Sequence, residues 1–337
     1  MRSVLEHELV VITGKGGVGK TTIAAAVGLL AAQRGLRAIV VEVGDQTRLP
    51  GLFEHPANQP GVETKLQERL ASISIDPDRA LLEWLQALGG RVSGRVLASS
   101  GTFQYFAAAA PGAKELVSMV KIWELTQRRR WQRRAAGYDL VVLDAPATGN
   151  ALGMLGSPQT FGAIARVGPI AGQSERVKEL LEQPGRTAYL AVAMATDMAV
   201  TEALELQDGL RRQLGRSLDW VIVNGLLPQR FSAAELKRIA AASGDGHRPP
   251  ADAAPTAAAP AAAVAAGGAG RTAKDEALRD SAALAAQTVH DRARFQHNQV
   301  ARLRRRSFEV AGVPFVWGSG MDLPAIERVA EQLGRRL

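Results

Sequence analysis

Residues 14–22 read GKGGVGKTT, a spacing of glycine, lysine and threonine suited to holding a chain of phosphates. Gly14, Gly19, Lys20 and Thr21 satisfy the pattern G-x-x-x-x-G-K-[ST], in which glycine lets backbone N–H groups converge on anionic oxygens where a helix begins. Gly14, Gly16, Gly17 and Gly19 tolerate positive φ and close approach, and with Val18, Lys20, Thr21 and Thr22 they form the expected cradle. Lys20 would neutralise the terminal phosphates, and the Thr21 hydroxyl would ligate Mg²⁺. A glycine turn with chance lysines is the competing reading, but it leaves unexplained the apolar strand before the loop and the helical run after it.

A second residue of this kind is Asp144, at the C-terminal end of the apolar run YDLVVLDAP. Open parallel sheets place their ligands at strand C-termini, so Asp144 is the expected carboxylate on the Mg²⁺ side. A helix-capping aspartate is the alternative.

These groups need a rigid sheet to hold them. Residues 8–14, 37–43, 70–76, 138–146, 189–196, 218–224 and 308–316 read as buried strands, and the opening strand, loop, helix (20–34) and strand make a βαβ unit. The expected fold is α/β: a mainly parallel central sheet flanked by helices, formed by residues 1–337 as one domain. Residues 78–137 are strand-poor and read as a helical insertion subdomain. Residues 243–272 are Ala, Pro and Gly with few large apolar groups, which predicts a flexible linker. Residues 273–337 then supply a long polar helix, with Leu278, Ala282, Ala285 and Val289 near one stripe, and a last strand and helix.

Composition narrows the chemistry. The 337 residues contain no cysteine, which excludes disulfides, thiolate metal sites, iron–sulfur clusters and cysteine nucleophiles. Lys plus Arg number 41 against 33 Asp plus Glu, a net charge of +8, so acidic partners are electrostatically permitted. The basic run 128–134 (RRRWQRR) reads as a solvated helix face by default. The N-terminus runs straight into a strand, and no apolar run reaches the ~18–20 residues of a membrane span, so the expected location is cytoplasmic with at most peripheral membrane contact.

Lys15, the extra lysine within the loop, gives the chain a resemblance to the deviant Walker A P-loop ATPases, which include the MinD and ParA proteins. The segment 144–149 (DAPATG) resembles the second switch of one branch, the arsenite-pump and tail-anchored-protein-targeting ATPases. Softer likenesses lie at 70–81 (LASISIDPDRAL) and 110–116 (APGAKEL). The resemblance implies ATP with Mg²⁺ as ligands and a dimer in which Lys15 reaches the partner's nucleotide. It implies adenine recognition by Asn224, whose bland alternative is a loop cap, and by a loop that includes Pro314 and Phe315.

The first switch departs from the branch. Where its members read D-P-A-H-N, this chain reads VGDQTR over 43–48, so the water-orienting carboxylate is displaced by one position onto Asp45. A turn aspartate is an equal reading there, and Glu42 is the spare candidate. If neither reaches the water, hydrolysis would be slow or vestigial.

Without cysteine, arsenite activation and a zinc-clasped dimer are both excluded. What the resemblance then implies is an ATP-driven switch, a homodimer or a heterodimer with a paralogue, that binds a protein or hydrophobic-helix client. Phe103, Tyr105, Phe106, Leu116, Met119, Val120 and Trp123, with Met154 and Leu155, would line a client groove or else form the insertion's own core. A membrane- or DNA-positioning ATPase and a weakly active pseudo-ATPase subunit are the alternatives, and nucleic acid is not the expected partner.

Overall fold

The computed structural model describes residues 3–44, 47–57, 59–99, 112–132, 135, 137–164, 168–242, 269–318 and 320–337. Eight strands form one sheet: β1 (Leu9–Gly14), β2 (Ala38–Val43), β3 (Thr64–Gln67), β4 (Leu70–Ile75), β5 (Leu140–Ala147), β6 (Thr187–Met194), β7 (Trp220–Leu226) and β8 (Glu309–Pro314). Their order is β3-β4-β2-β5-β1-β6-β7-β8, and every neighbouring pair is parallel except β3–β4.

The central strands β1 and β6 are nearly continuous buried apolar runs, as expected of a parallel sheet covered on both faces. All six residues of β1 are buried, and the burial of each Leu, Val or Ile there contributes about 1.5–3 kcal/mol. The edge strand β3 gave no such signal. Its sequence, TKLQ, buries only Leu66, and a short polar edge with Lys65 exposed discourages pairing with another chain.

Helix α1 (Lys20–Gln33) follows Gly19, which takes a left-handed conformation. Ile23 to Ala31 are buried along nearly the whole helix, between the sheet and α10 (Leu323–Gly334). The other described helices are α2 (Leu49–Leu52), α3 (Pro77–Ser99), α4 (Ala113–Thr126), α5 (Thr148–Ile164), α6 (Pro169–Glu182), α7 (Asp197–Leu214), α8 (Ala233–Ala242) and α9 (Ala269–Arg304).

Helical character after residue 113 was expected to run on through the basic cluster, but α4 stops at Thr126 and Gln127 is extended. Charge pairing explains the break. Arg130 turns inward: its Nε lies 2.6 Å from Glu124 and its Nη2 2.6 Å from Glu63, and its side chain is only 2% exposed. Lys121 completes the cluster, 2.7 Å from Glu83 and 3.0 Å from Glu124. Arg128 and Arg129 remain exposed, so a solvated face describes these two but not Arg130.

The chain separates into two compact units, Met1–Leu226 with Gln299–Leu337, and Leu227–Asn298. Within the second, Ser232 and Glu235 form a reciprocal capping box at the start of α8: the Glu235 N–H donates to the Ser232 hydroxyl at 3.2 Å, and the Ser232 N–H to the Glu235 carboxylate at 2.7 Å. Along α9, Ala286 and Ala293 are buried while Leu278 is 69% exposed, so the covered stripe is not the one its apolar residues suggested.

Candidate phosphate-binding site

The sheet reverses direction of growth around β1, which lies between β5 and β6, and the C-terminal ends of these strands open a crevice of the kind that binds ligands in doubly wound sheets. Gly14 ends β1 at φ 147°, and a Cβ there would overlap the carbonyl oxygen of Val192 on β6. Gly19 has φ 94°, and a Cβ would overlap the side-chain amide of Asn224. Both positions therefore demand glycine on conformational and steric grounds. A Cβ on Gly16 or Gly17 would meet nothing within 4 Å, so these two border open space. Val18 is buried, and Thr22 is half-buried in the first turn of α1.

Lys20, at the start of α1, donates to the carbonyl of Lys15 at 3.1 Å, closing the loop on itself. Burial pulls its pKa below the usual lysine value; Asp144 and Glu202 act against that shift, and Arg48 reinforces it. A lysine short of solvent gains from an anionic oxygen. The next residue, Thr21, donates its hydroxyl to Asp144 Oδ2 at 2.6 Å. Burial raises the Asp144 pKa, against the opposing effects of Thr21, Lys20 and Arg48. Its other oxygen, Oδ1, is buried and has no hydrogen-bond partner among the described residues.

That unpartnered oxygen tests whether Mg²⁺ fits. A buried carboxylate oxygen without a donor is costly unless a cation or water meets it. Among the described residues no group of three or more His, Asp or Glu could hold a metal by itself. One carboxylate and one hydroxyl suit Mg²⁺, which keeps waters and takes its remaining ligands from substrate phosphates. The residues present fit.

Asn224, near the end of β7, donates its side-chain amide to the Val18 carbonyl at 2.9 Å and so braces the loop from behind. Pro314 ends β8, and the Phe315 N–H donates to Leu226 at 2.9 Å, which brings Phe315 beside the end of β7. Phe315 is 45% exposed and meets Trp317 edge to face at 4.7 Å between centroids. Pro314 and Phe315 line a cleft of about 320 Å³ that also includes Arg328 and Gln332.

Lys15 extends from the loop to lie 3.8 Å from the sulfur of Met198, in the first turn of α7. Asp45 lies outside the described residues. Glu42, the spare carboxylate, is 4% exposed and accepts two backbone N–H groups, from Arg48 at 3.0 Å and Leu49 at 3.3 Å. Burial pushes its pKa up to about 7 despite those two bonds.

The expected client-groove residues divide. Leu116, Met119, Val120, Met154 and Leu155 are buried in the core and Trp123 packs partly buried against it, so these six form no open groove. Phe103, Tyr105 and Phe106 lie outside the described residues. Leu82 and Leu88 of α3 are exposed.

Sequence reasoning missed Arg48 and Glu202, which both influence Lys20. Glu202 sits on α7 with Oε2 buried and unpartnered among the described residues. Arg48 ends the first-switch segment, where only a carboxylate is expected, and Glu202 lies on α7 far from any motif.

Residues 7–173 match the family described as anion-transporting ATPase. The chain is 32% identical over 237 residues to the ATPase BagA of Mycobacterium tuberculosis, covering 68% of each chain. It is 26% identical over 238 residues to a Halobacterium salinarum protein named for the arsenical pump-driving ATPase, covering 68% of this chain and 37% of that one. It is 27% identical over 165 residues to ATPase ASNA1 homolog 1 of Paramecium tetraurelia, covering 47% and 46%.

Proposed function

The chain belongs to the anion-transporting ATPase family, and from that premise we propose that it binds ATP with Mg²⁺ at residues 14–22, hydrolyses it, and uses the cycle to switch its hold on a protein client. One observation carries the reading: Thr21 and Asp144 meet at 2.6 Å beside Lys20 while Asp144 Oδ1 has no donor among the described residues.

In this reading the backbone amides from Gly14 to Thr22 cradle the phosphates, and Lys20 neutralises the terminal ones. Thr21 and Asp144 hold Mg²⁺, which when bound draws charge from the phosphate oxygens undergoing transfer. Asn224 fixes the loop through Val18 and, with Pro314 and Phe315, offers the surface for adenine. Lys15 acts across a dimer, homomeric or with a paralogue, where a cation facing the partner's phosphates accelerates transfer as an arginine finger does. Asp45 orients the attacking water.

Arsenite is not the ligand, because soft metalloids need thiolates and the chain has no cysteine. The client is instead a protein or hydrophobic helix received on the helical insertion, where Leu82 and Leu88 are exposed. Among the described residues no helix is long and apolar enough to cross a membrane. Calorimetry with MgATP, then phosphate release by wild type and Lys20→Ala, tests the enzyme: uptake and turnover lost in the variant support it, and no nucleotide uptake by wild type rejects it. Capture of a client by ATP-loaded Asp144→Asn but not by the ADP-loaded protein tests the switch.

A further inference from the structure

The loop after β2 is fastened at both ends. At its start, the Ser74 hydroxyl donates to the Gly44 carbonyl at 2.8 Å. At its end, the backbone N–H groups of Arg48 and Leu49 donate to separate oxygens of Glu42, at 3.0 and 3.3 Å. Glu42 is 4% exposed, so both bonds form away from water and leave the carboxyl group little freedom to do anything else. In the sheet register Glu42 stands between Ser74 and Asp144, and Asp144 in turn lies beside Ile12 of β1. The clamp is therefore built on the same strand ends that hold the Thr21–Asp144 pair.

The clamp fixes the backbone from which one cation extends. Arg48 is exposed and makes no ion pair with any described residue. Its backbone N–H is held by Glu42, the register neighbour of Asp144, so the residue stands at the strand ends that border the phosphate loop, and its charge acts on Lys20, Asp144 and Glu42. Lys20 and Arg48 repel each other in the empty site, and a polyanion between them turns that repulsion into two attractions. A guanidinium also presents a planar fork of donors that matches phosphate oxygens, which an ammonium does not.

We propose that Arg48 contacts the terminal phosphate of the ATP bound by the same chain, and that Glu42 is the positioning residue that aims it there. The assignment rests on the ATP reading above. It gives Glu42 a task other than orienting water, and it adds to Lys15 and Lys20 a cation from outside the phosphate loop.

The test is calorimetric titration of wild type, Arg48→Ala, Arg48→Lys and Glu42→Gln with MgADP and with a non-hydrolysable MgATP analogue. A charge-assisted contact confined to the terminal phosphate predicts that Arg48→Ala weakens the triphosphate by about tenfold or more and the diphosphate by less than about twofold. Arg48→Lys should recover part of the loss. Glu42→Gln, which keeps shape but weakens the clamp, should lower the triphosphate-to-diphosphate preference in the same direction; a merely structural role would weaken both nucleotides alike. Wild-type binding of both nucleotides with Arg48→Ala unchanged, or equally weakened for both, overturns the assignment alone. An unchanged preference in a folded Glu42→Gln overturns the positioning role. Absence of any nucleotide binding by wild type overturns this assignment and the ATP reading together.

Discussion

Thr21 and Asp144, separated by 123 residues in sequence, share a 2.6 Å hydrogen bond at the start of α1. The bond leaves Asp144 Oδ1 buried and without a donor among the described residues, so only one oxygen of the carboxylate is satisfied there. Asp144→Asn preserves the shape but removes the charge, and steady-state turnover should fall by about 10²-fold or more, with a higher Mg²⁺ requirement. Phosphate release across a Mg²⁺ series measures both effects. Unchanged turnover would remove Asp144 from the metal site.

The two loop lysines should fail differently. Lys20 lies within its own site, bonded to the Lys15 carbonyl, so Lys20→Ala should weaken nucleotide binding itself. Lys15 rests against Met198, with no carboxylate partner among the described residues. If it serves a second subunit, Lys15→Ala should spare ATP affinity and lower turnover by about 10³-fold or more. In that case wild-type specific activity should also rise with protein concentration. Turnover per chain that is independent of concentration and unaffected by Lys15→Ala would exclude the trans role.

Glycines of the loop divide into those the fold needs and those the ligand needs. Gly14→Ala places a Cβ against the Val192 carbonyl at a φ that L residues rarely adopt. A loss of about 1–3 kcal/mol in unfolding free energy is expected, readable by denaturant titration. Gly16→Ala meets open space, so its melt should match wild type while nucleotide affinity drops, because the methyl enters the region assigned to phosphate.

Much of this was legible in the chain because it depends on local order. The cradle is contiguous, so the glycines, Lys20 and Thr21 announce themselves, and the buried parallel strands appear as apolar runs that no surface strand would show. Asp144 could be found because it ends such a run. What escaped depends on pairing at a distance. β3 has one buried apolar residue and owes its existence to β4, the inward turn of Arg130 is set by Glu124 and Glu63, and the backbone of Arg48 is tied to the buried Glu42 six residues earlier. In α9 the polar and apolar residues alternate too evenly for periodicity to reveal that Ala286 and Ala293 form the covered side.

The cluster around Glu124 should govern acid stability. Burial alone would raise the Glu124 pKa, but Arg130 and Lys121 outweigh it and hold the carboxylate below its ordinary value of 4.5. A depressed folded pKa means that its contribution is complete above the unfolded value and is lost as pH falls through the folded one. Glu124→Gln leaves Arg130 and Lys121 short of a counter-charge in a site where Glu124 is 1% exposed. At pH 7 the variant should therefore be less stable by about 3–5 kcal/mol, the scale for breaking a buried pair. Thermal melts from pH 7 down to about pH 3 should show the gap closing below about pH 4.5, as the wild type takes up the proton whose charge the variant already lacks. Parallel curves across that range would mean that Glu124 does not carry the acid response of this cluster.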